Sequence, residues 1–239
     1  MFEKIFLKSK AFVAALIAIT AIGITVSGIA YDQKIFRMLP LYVSLGVVII
    51  NSQAWRIGAL IGGLNSILYA IVFFNYGLYA SAISALVVSF PFQIATFILW
   101  SRKKDGATTK FRSLGTKWSI LLYVGLVIVY IPMLIMNMRA GAAFAPIDTA
   151  LSILGLVVTV LTMLAFTEFT YLSIINSALS LLLYILMIKE NPEQMCYLIY
   201  SVYGLICVIR ATVNVRKIYK EQKEKARVEE KPIAEPVGE

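Results

Sequence analysis

The chain reads as an all-α integral membrane protein with about eight transmembrane helices, and three observations carry that reading. Of its 239 residues, 60% are hydrophobic and 15% charged, against roughly 45 to 50% and about 25% in a soluble domain. Mean hydropathy is +0.83, and the apolar residues gather into stretches near the ~20 residues that cross a ~30 Å hydrocarbon core. The cations collect between those stretches. Eight crossings use most of the chain and leave no room for a separate soluble catalytic domain of ~100 residues or more.

The first span is expected over 11–30, after Lys4, Lys8 and Lys10. Its length and its exit through Tyr31-Asp32-Gln33-Lys34 favour a retained helix over a cleaved signal peptide. The second, 38–51, is the shortest and carries Pro40 near its start, where a missing N–H is tolerated. The third and fourth cover 56–74 and 78–100, and a basic loop with Arg102, Lys103, Lys104, Lys110, Arg112 and Lys117 leads to the fifth at 118–138. The sixth, seventh and eighth are placed at 147–166, 169–188 and 194–213, with a second basic cluster of Arg210, Arg216, Lys217 and Lys220 at the end. From Lys217 the charges alternate in sign until Pro232 and Pro236, the pattern of a helical extension fraying into disorder.

With eight spans, the Lys-bearing N-terminus, the basic loop and the tail share one side. The other side holds Lys34, Arg37, Arg139 and Lys189. The positive-inside rule places both termini in the cytoplasm and the chain in the plasma membrane.

Sliding the chain along itself by 111 residues lays Leu64-Asn65-Ser66 on Ile175-Asn176-Ser177, with Leu68 on Leu179 and Ile98 on Ile209. Spans two to four then form one three-helix bundle and spans six to eight a second, joined by span five, a 3+1+3 plan with an extra N-terminal helix. The units are 1–34, 35–104, 105–140, 141–215 and a charged tail at 216–239. An odd number of helices in each bundle makes the linker restore parallel halves about an axis along the membrane normal, with a solute site between them near mid-bilayer.

The net charge is +9, but the cations lie between apolar spans rather than on one folded face with aromatics, which excludes nucleic-acid binding. There is no His. Cys196 and Cys207 would lie about 16 Å apart on one helix, too far for a disulfide. Zinc, haem and Cys or His catalysis lose their usual ligands, and Gly62-Gly63 has no following Lys-Ser or Lys-Thr to make a phosphate loop. No cofactor, metal or enzymatic activity is expected. The partners are a small-molecule solute and the lipid bilayer, and homo-oligomers are compatible with this reading.

Asp148, Glu168 and Arg210 sit near expected span ends, so the interior lacks the ionisable groups that ion-coupled carriers retain at a cost of several kcal/mol. Glu168 would become a relay only if the sixth helix ended later. Mid-span polarity is uncharged: Asn65, Ser66, Tyr69, Ser89, Gln93 and Thr96 in the first half, and Asn176, Ser177, Ser180, Tyr184, Tyr200, Ser201 and Tyr203 in the second. Amides suit the hydroxyls and carboxamide of a small solute, and tyrosine faces suit a flat cationic ring. Asn65, Gln93, Asn176, Tyr200 and Tyr203 are therefore the candidate solute contacts, although each can equally glue neighbouring helices. Gln93 follows Pro91, whose missing N–H frees a carbonyl and can kink the helix. Trp55, Trp100 and Trp118 are expected as interfacial anchors, Gly58, Gly62 and Gly63 as sites of close helix approach, and Pro132, Gly141 and Pro146 as hinges.

The run Gly62-Gly63-Leu64-Asn65-Ser66-Ile67-Leu68-Tyr69-Ala70, then Phe73-Phe74 and Leu78-Tyr79-Ala80-Ser81, resembles the PnuC family of nicotinamide riboside transporters. Asp148-Thr149-Ala150, Glu168-Phe169 and Ile174-Ile175-Asn176 extend the resemblance over residues 38 to 215. It implies a SWEET-like 3+1+3 fold and facilitated diffusion of nicotinamide riboside, a cationic pyridinium nucleoside, trapped by intracellular phosphorylation. The chain departs from the family pattern at Phe90-Pro91-Phe92-Gln93, at Phe169 in place of a Trp, and around Ala85. These departures bear on the substrate: relatives of the same fold carry thiamine, riboflavin or deoxynucleosides. A non-transporting structural membrane protein is the rival of a different class.

Overall fold

Apolar stretches of this length have one way to satisfy their backbone in hydrocarbon, an α-helix. A computed structural model describes residues 10–75, 85–105, 108–139, 144–189 and 192–229, and eight α-helices account for nearly all of them. They are α1 (Lys10–Ala30), α2 (Ile35–Ser52), α3 (Ile57–Asn75), α4 (Phe90–Arg102), α5 (Thr116–Arg139), α6 (Ala145–Met163), α7 (Phe169–Ile188) and α8 (Met195–Glu229). A hairpin of β1 (Lys104–Asp105) and β2 (Thr108–Thr109) follows α4. Six helical stretches among the described residues are long and apolar enough to cross a membrane, and α2 and α3 add shorter apolar segments. The chain is a multi-pass membrane protein.

Several boundaries move from the expected ones, each for a local reason. Helix α2 begins at Ile35, so Pro40 falls in its second turn. Helix α4 is entered through a π-helical turn, Ala85–Ser89, just before Pro91. A wide turn is a usual accommodation where the ladder loses a donor. Helix α6 stops at Met163 rather than 166, and α8 runs unbroken for 35 residues to Glu229. The Leu78-Tyr79-Ala80-Ser81 run, Gly141, Lys4, Lys8, Pro232 and Pro236 lie outside the described residues.

Helix α2 packs on α3, α3 on α4, α4 on α6, α6 on α7, α7 on α8 and α8 back on α2, a closed ring of six. Outside it, α1 lies against α8 and α2, and α5 leans on α6. One apolar core joins Ile24, Met38, Leu41, Leu45, Cys196, Tyr203 and Cys207 where α1, α2 and α8 meet; both thiols are free. A second, at the basic-loop end, gathers Ala54, Trp100, Phe111, Ala165 and Val215.

Two tryptophan and arginine placements differ from expectation. Trp55 and Trp118 are 46% and 63% exposed, as anchors should be, but Trp100 is 5% exposed. Its indole donates to Thr162 O at 2.9 Å, because α4 packs on α6 at that level. Arg210 is 3% exposed and so stands apart from the surface cluster: with the Gln53 amide oriented to accept, its Nη2 and Nε donate at 2.7 and 3.3 Å.

The 111-residue offset reappears in backbone geometry. Gln53 after α2 has φ −85°, ψ −1°, and Leu164 after α6 has φ −82°, ψ −1°. The next residues, Ala54 and Ala165, are both left-handed, at φ +56° and +58°. Phe166 N donates to Leu161 O and Ala165 N to Thr162 O, both at 3.0 Å, which closes the last turn of α6 in the Schellman manner. Glycine usually takes this position; here the alanine methyls are buried, at 1% and 3% exposure, in the second core. Ala165→Val, β-branched in a left-handed backbone, is expected to lower stability in detergent by about 2 kcal/mol. Ala165→Gly should stay within about 1 kcal/mol of the parent, both read by thermal unfolding of purified protein.

Candidate functional site

Inside the ring, near its basic-loop end, lies a cavity of about 350 Å³, within the size range of small-molecule sites. Every ring helix contributes to its wall: Asn51 and Ser52 from α2, Ala59 from α3, Gln93, Thr96 and Trp100 from α4, Thr159 and Thr162 from α6, Phe169, Thr170 and Ser173 from α7, and Thr212 from α8. Ser89, Gln93, Thr96 and Trp100 recur at helical spacing and so form one stripe. The threonines are quiet donors. Thr96 Oγ1 bonds Phe92 O at 2.8 Å, Thr159 bonds Gly155 O at 2.8 Å and Thr162 bonds Val158 O at 2.7 Å, leaving lone pairs for a ligand.

Of the five expected contacts, Gln93 lines this cavity. Its Nε2 donates to Ser66 Oγ at 3.4 Å, and Ser66 in turn donates to Gly62 O at 3.1 Å. Gly62 makes this approach feasible: a Cβ there would stand 2.0 Å from Gln93 Oε1. Asn65 is one residue further, 4% exposed, its Nδ2 donating to Pro40 O at 3.2 Å and Ser44 Oγ at 2.9 Å. Ser44 also shares a hydrogen bond with the Tyr69 hydroxyl at 3.2 Å, and Tyr200 from α8 reaches the same serine. Asn176 lies one turn beyond the cavity-lining Ser173 on α7, about 10 Å in from the helix start.

Asn65 Oδ1 and Asn176 Oδ1 share a distinctive state: each is buried and has no hydrogen-bond partner among the described residues. Such a group costs about 1 to 3 kcal/mol. Tyr203 differs from the other four. It is 1% exposed, its hydroxyl donates to Leu45 O, and its ring lies 6.3 Å from that of Tyr200. Tyr184 and Tyr197 stack at 5.8 Å nearby. The hydroxyls of α6 and α7 and the Trp100 and Phe169 rings were not among the expected contacts; the Gly155, Thr159, Thr162 spacing was their one sequence signal.

A polar knot sits behind the cavity on the basic side. Arg112 N donates to Ala165 O at 3.0 Å and Thr167 N to Arg112 O at 2.9 Å, tying the basic loop to the α6–α7 turn. Gln222 from the α8 extension accepts from Phe111 N at 3.0 Å and donates to Thr109 O at 2.9 Å. Glu168 lies in that turn, 8% exposed. It accepts from Ser113 Oγ at 2.7 Å and Leu114 N at 3.0 Å, which makes it a brace for the loop.

The sequence model of a family described as nicotinamide mononucleotide transporter matches residues 34–214. Among solved structures, the fold is similar to one described as "Crystal structure of the Vitamin B3 transporter PnuC", with a TM-score of 0.70 and 19% identity over 89% of this chain and 92% of that one. No curated protein sequence matches.

Glu168→Ala strands the Leu114 N–H and is expected to lower stability in detergent by about 2 kcal/mol, measured by thermal unfolding. Glu168→Gln keeps an acceptor and should leave solute flux unchanged from mildly acidic to mildly basic pH. Loss of flux in that variant would make Glu168 a proton relay instead.

Proposed function

The chain belongs to the nicotinamide mononucleotide transporter family, and on that premise we propose that it carries nicotinamide riboside across the plasma membrane by facilitated diffusion. Both termini face the cytoplasm in this reading, and the two halves, 35–104 and 141–215, rock about the linker. The observation that carries it is the pair of buried, unpartnered amide oxygens, Asn65 Oδ1 and Asn176 Oδ1, 111 residues apart on α3 and α7, helices that both contribute to the cavity wall. An acceptor left bare in the interior suits a solute that brings its own donors, as ribose hydroxyls and a carboxamide do.

The choice of riboside over mononucleotide rests on charge. None of the described residues lining the cavity is Lys, Arg, Asp or Glu, and a phosphomonoester entering it would lose its hydration without gaining a cation from that lining, at a cost of several kcal/mol. The pyridinium ring is a delocalised cation suited to aromatic faces, which Trp100 and Phe169 supply in the cavity wall. In this scheme Gln93 and the two asparagines contact the polar groups, Tyr200 faces the ring, and Tyr203 backs Tyr200. Phosphorylation inside the cell then makes a product that the uncharged cavity rejects, so uptake proceeds without ion coupling.

Counterflow of labelled riboside into proteoliposomes without an ion gradient tests this, with thiamine, riboflavin and thymidine as competitors. Saturable exchange blocked best by unlabelled riboside is the expected result; a better competitor would keep the architecture and replace the solute. No exchange by folded protein, with or without a gradient, would favour a structural membrane protein. Asn176→Leu is expected to weaken riboside affinity roughly tenfold or more while folded yield is kept, and unchanged affinity would remove Asn176 from the site.

A further inference from the structure

The linker helix α5 buries none of its residues, and its flank toward α6 is hollow. A groove of about 560 Å³ runs between the two helices. At its far end the helices are pinned together, where Tyr130 donates to Pro146 O at 3.2 Å and Asn137 Nδ2 to Thr149 Oγ1 at 2.8 Å. From there it extends toward the basic loop, to Leu114, Trp118 and Leu161. Its walls are aliphatic apart from Ser152 and the Trp118 indole, and midway Gly125 leaves it open, since a Cβ there would meet nothing within 4 Å. Between Ser152 and Leu161 the α6 wall is about 14 Å long.

The basic end of the groove is charged. Arg112 is exposed; its Nε is anchored on Leu164 O at 3.2 Å and its guanidinium lies 4.2 Å from the centre of the Phe166 ring, one turn past the groove wall at Leu161. Lys117, also exposed, precedes the interfacial Trp118. The neighbouring carboxylate, Glu168, is taken up by Ser113 and Leu114, and among the described residues no ion pair engages Arg112 or Lys117. An apolar slot in the membrane with cations at the head-group level matches a phospholipid in both halves. A helix of a second copy, about 10 to 12 Å across, could enter such a slot only by its side chains.

We propose that the α5–α6 groove is a resident site for one anionic phospholipid of the bilayer, with an acyl chain along Leu121, Gly125, Val129 and Leu156 and its head group on Arg112 and Lys117. The lipid fills the seam between the linker and the second half, which have little else to hold them on this side.

Native mass spectrometry of the full chain in detergent tests it, after equilibration with phosphatidylglycerol or phosphatidylcholine of the same acyl composition. One bound phosphatidylglycerol should survive activation that strips phosphatidylcholine, with at least a fivefold excess retained. Lys117→Glu should remove that preference, and Gly125→Leu, which fills the open stretch of groove, should abolish retention of both lipids while thermal unfolding of the delipidated protein is unchanged. Equal retention of the two lipids by the parent, or undiminished phosphatidylglycerol on Gly125→Leu, overturns the proposal. So does an oligomer without bound lipid that Gly125→Leu dissociates, which would assign the groove to a second copy.

Discussion

Hydrocarbon offers no hydrogen-bonding partner, and the structure follows from that constraint. The backbone is helical wherever it crosses. Hydroxyls turn back on their own helices, as Thr20 on Leu16 O at 2.7 Å and Thr25 on Ala21 O at 2.8 Å, and amides such as Asn65 reach across to a neighbour's carbonyl. The Asn65 and Asn176 oxygens are exceptions to that pairing among the mid-span amides.

The same constraint explains the weight placed on the basic end. There the chain leaves the helical regime, and its irregular backbone is tied down by paired exchanges: Arg112 with Ala165 and Thr167, and Gln222 with Phe111 and Thr109. Phe111 sits edge-on to Trp100 with centroids 5.7 Å apart, a contact worth about 0.5 to 1.5 kcal/mol beyond area burial. Because Trp100 also lines the cavity, a movement that opens the cavity on this side must disturb the knot that joins loop, α6–α7 turn and α8 extension.

Along the 111-residue offset the likeness is stronger in the backbone than in the side chains. Few identities survive the 111-residue offset, yet the left-handed alanines after α2 and α6 agree within 2° in φ. Ala54 and Ala165 pack into one core, so α2 and α6 end against the same cluster. A buried methyl in a left-handed turn is a demanding arrangement, and it occurs here twice in one core.

Span number and helical class were legible in the sequence, because hydropathy reports directly on the solvent each segment faces. That Gln93 reaches the cavity wall was legible too, since an amide in mid-span is conspicuous by type alone. The sequence could not tell that Trp100 and Arg210 are buried, that Glu168 is a loop brace, or that Tyr203 spends its hydroxyl on Leu45 O. Those roles depend on which helix faces which at a given level. Apolar helices in lipid carry no amphipathic stripe to declare their inner face, so only the packed ring decided which polar groups found partners.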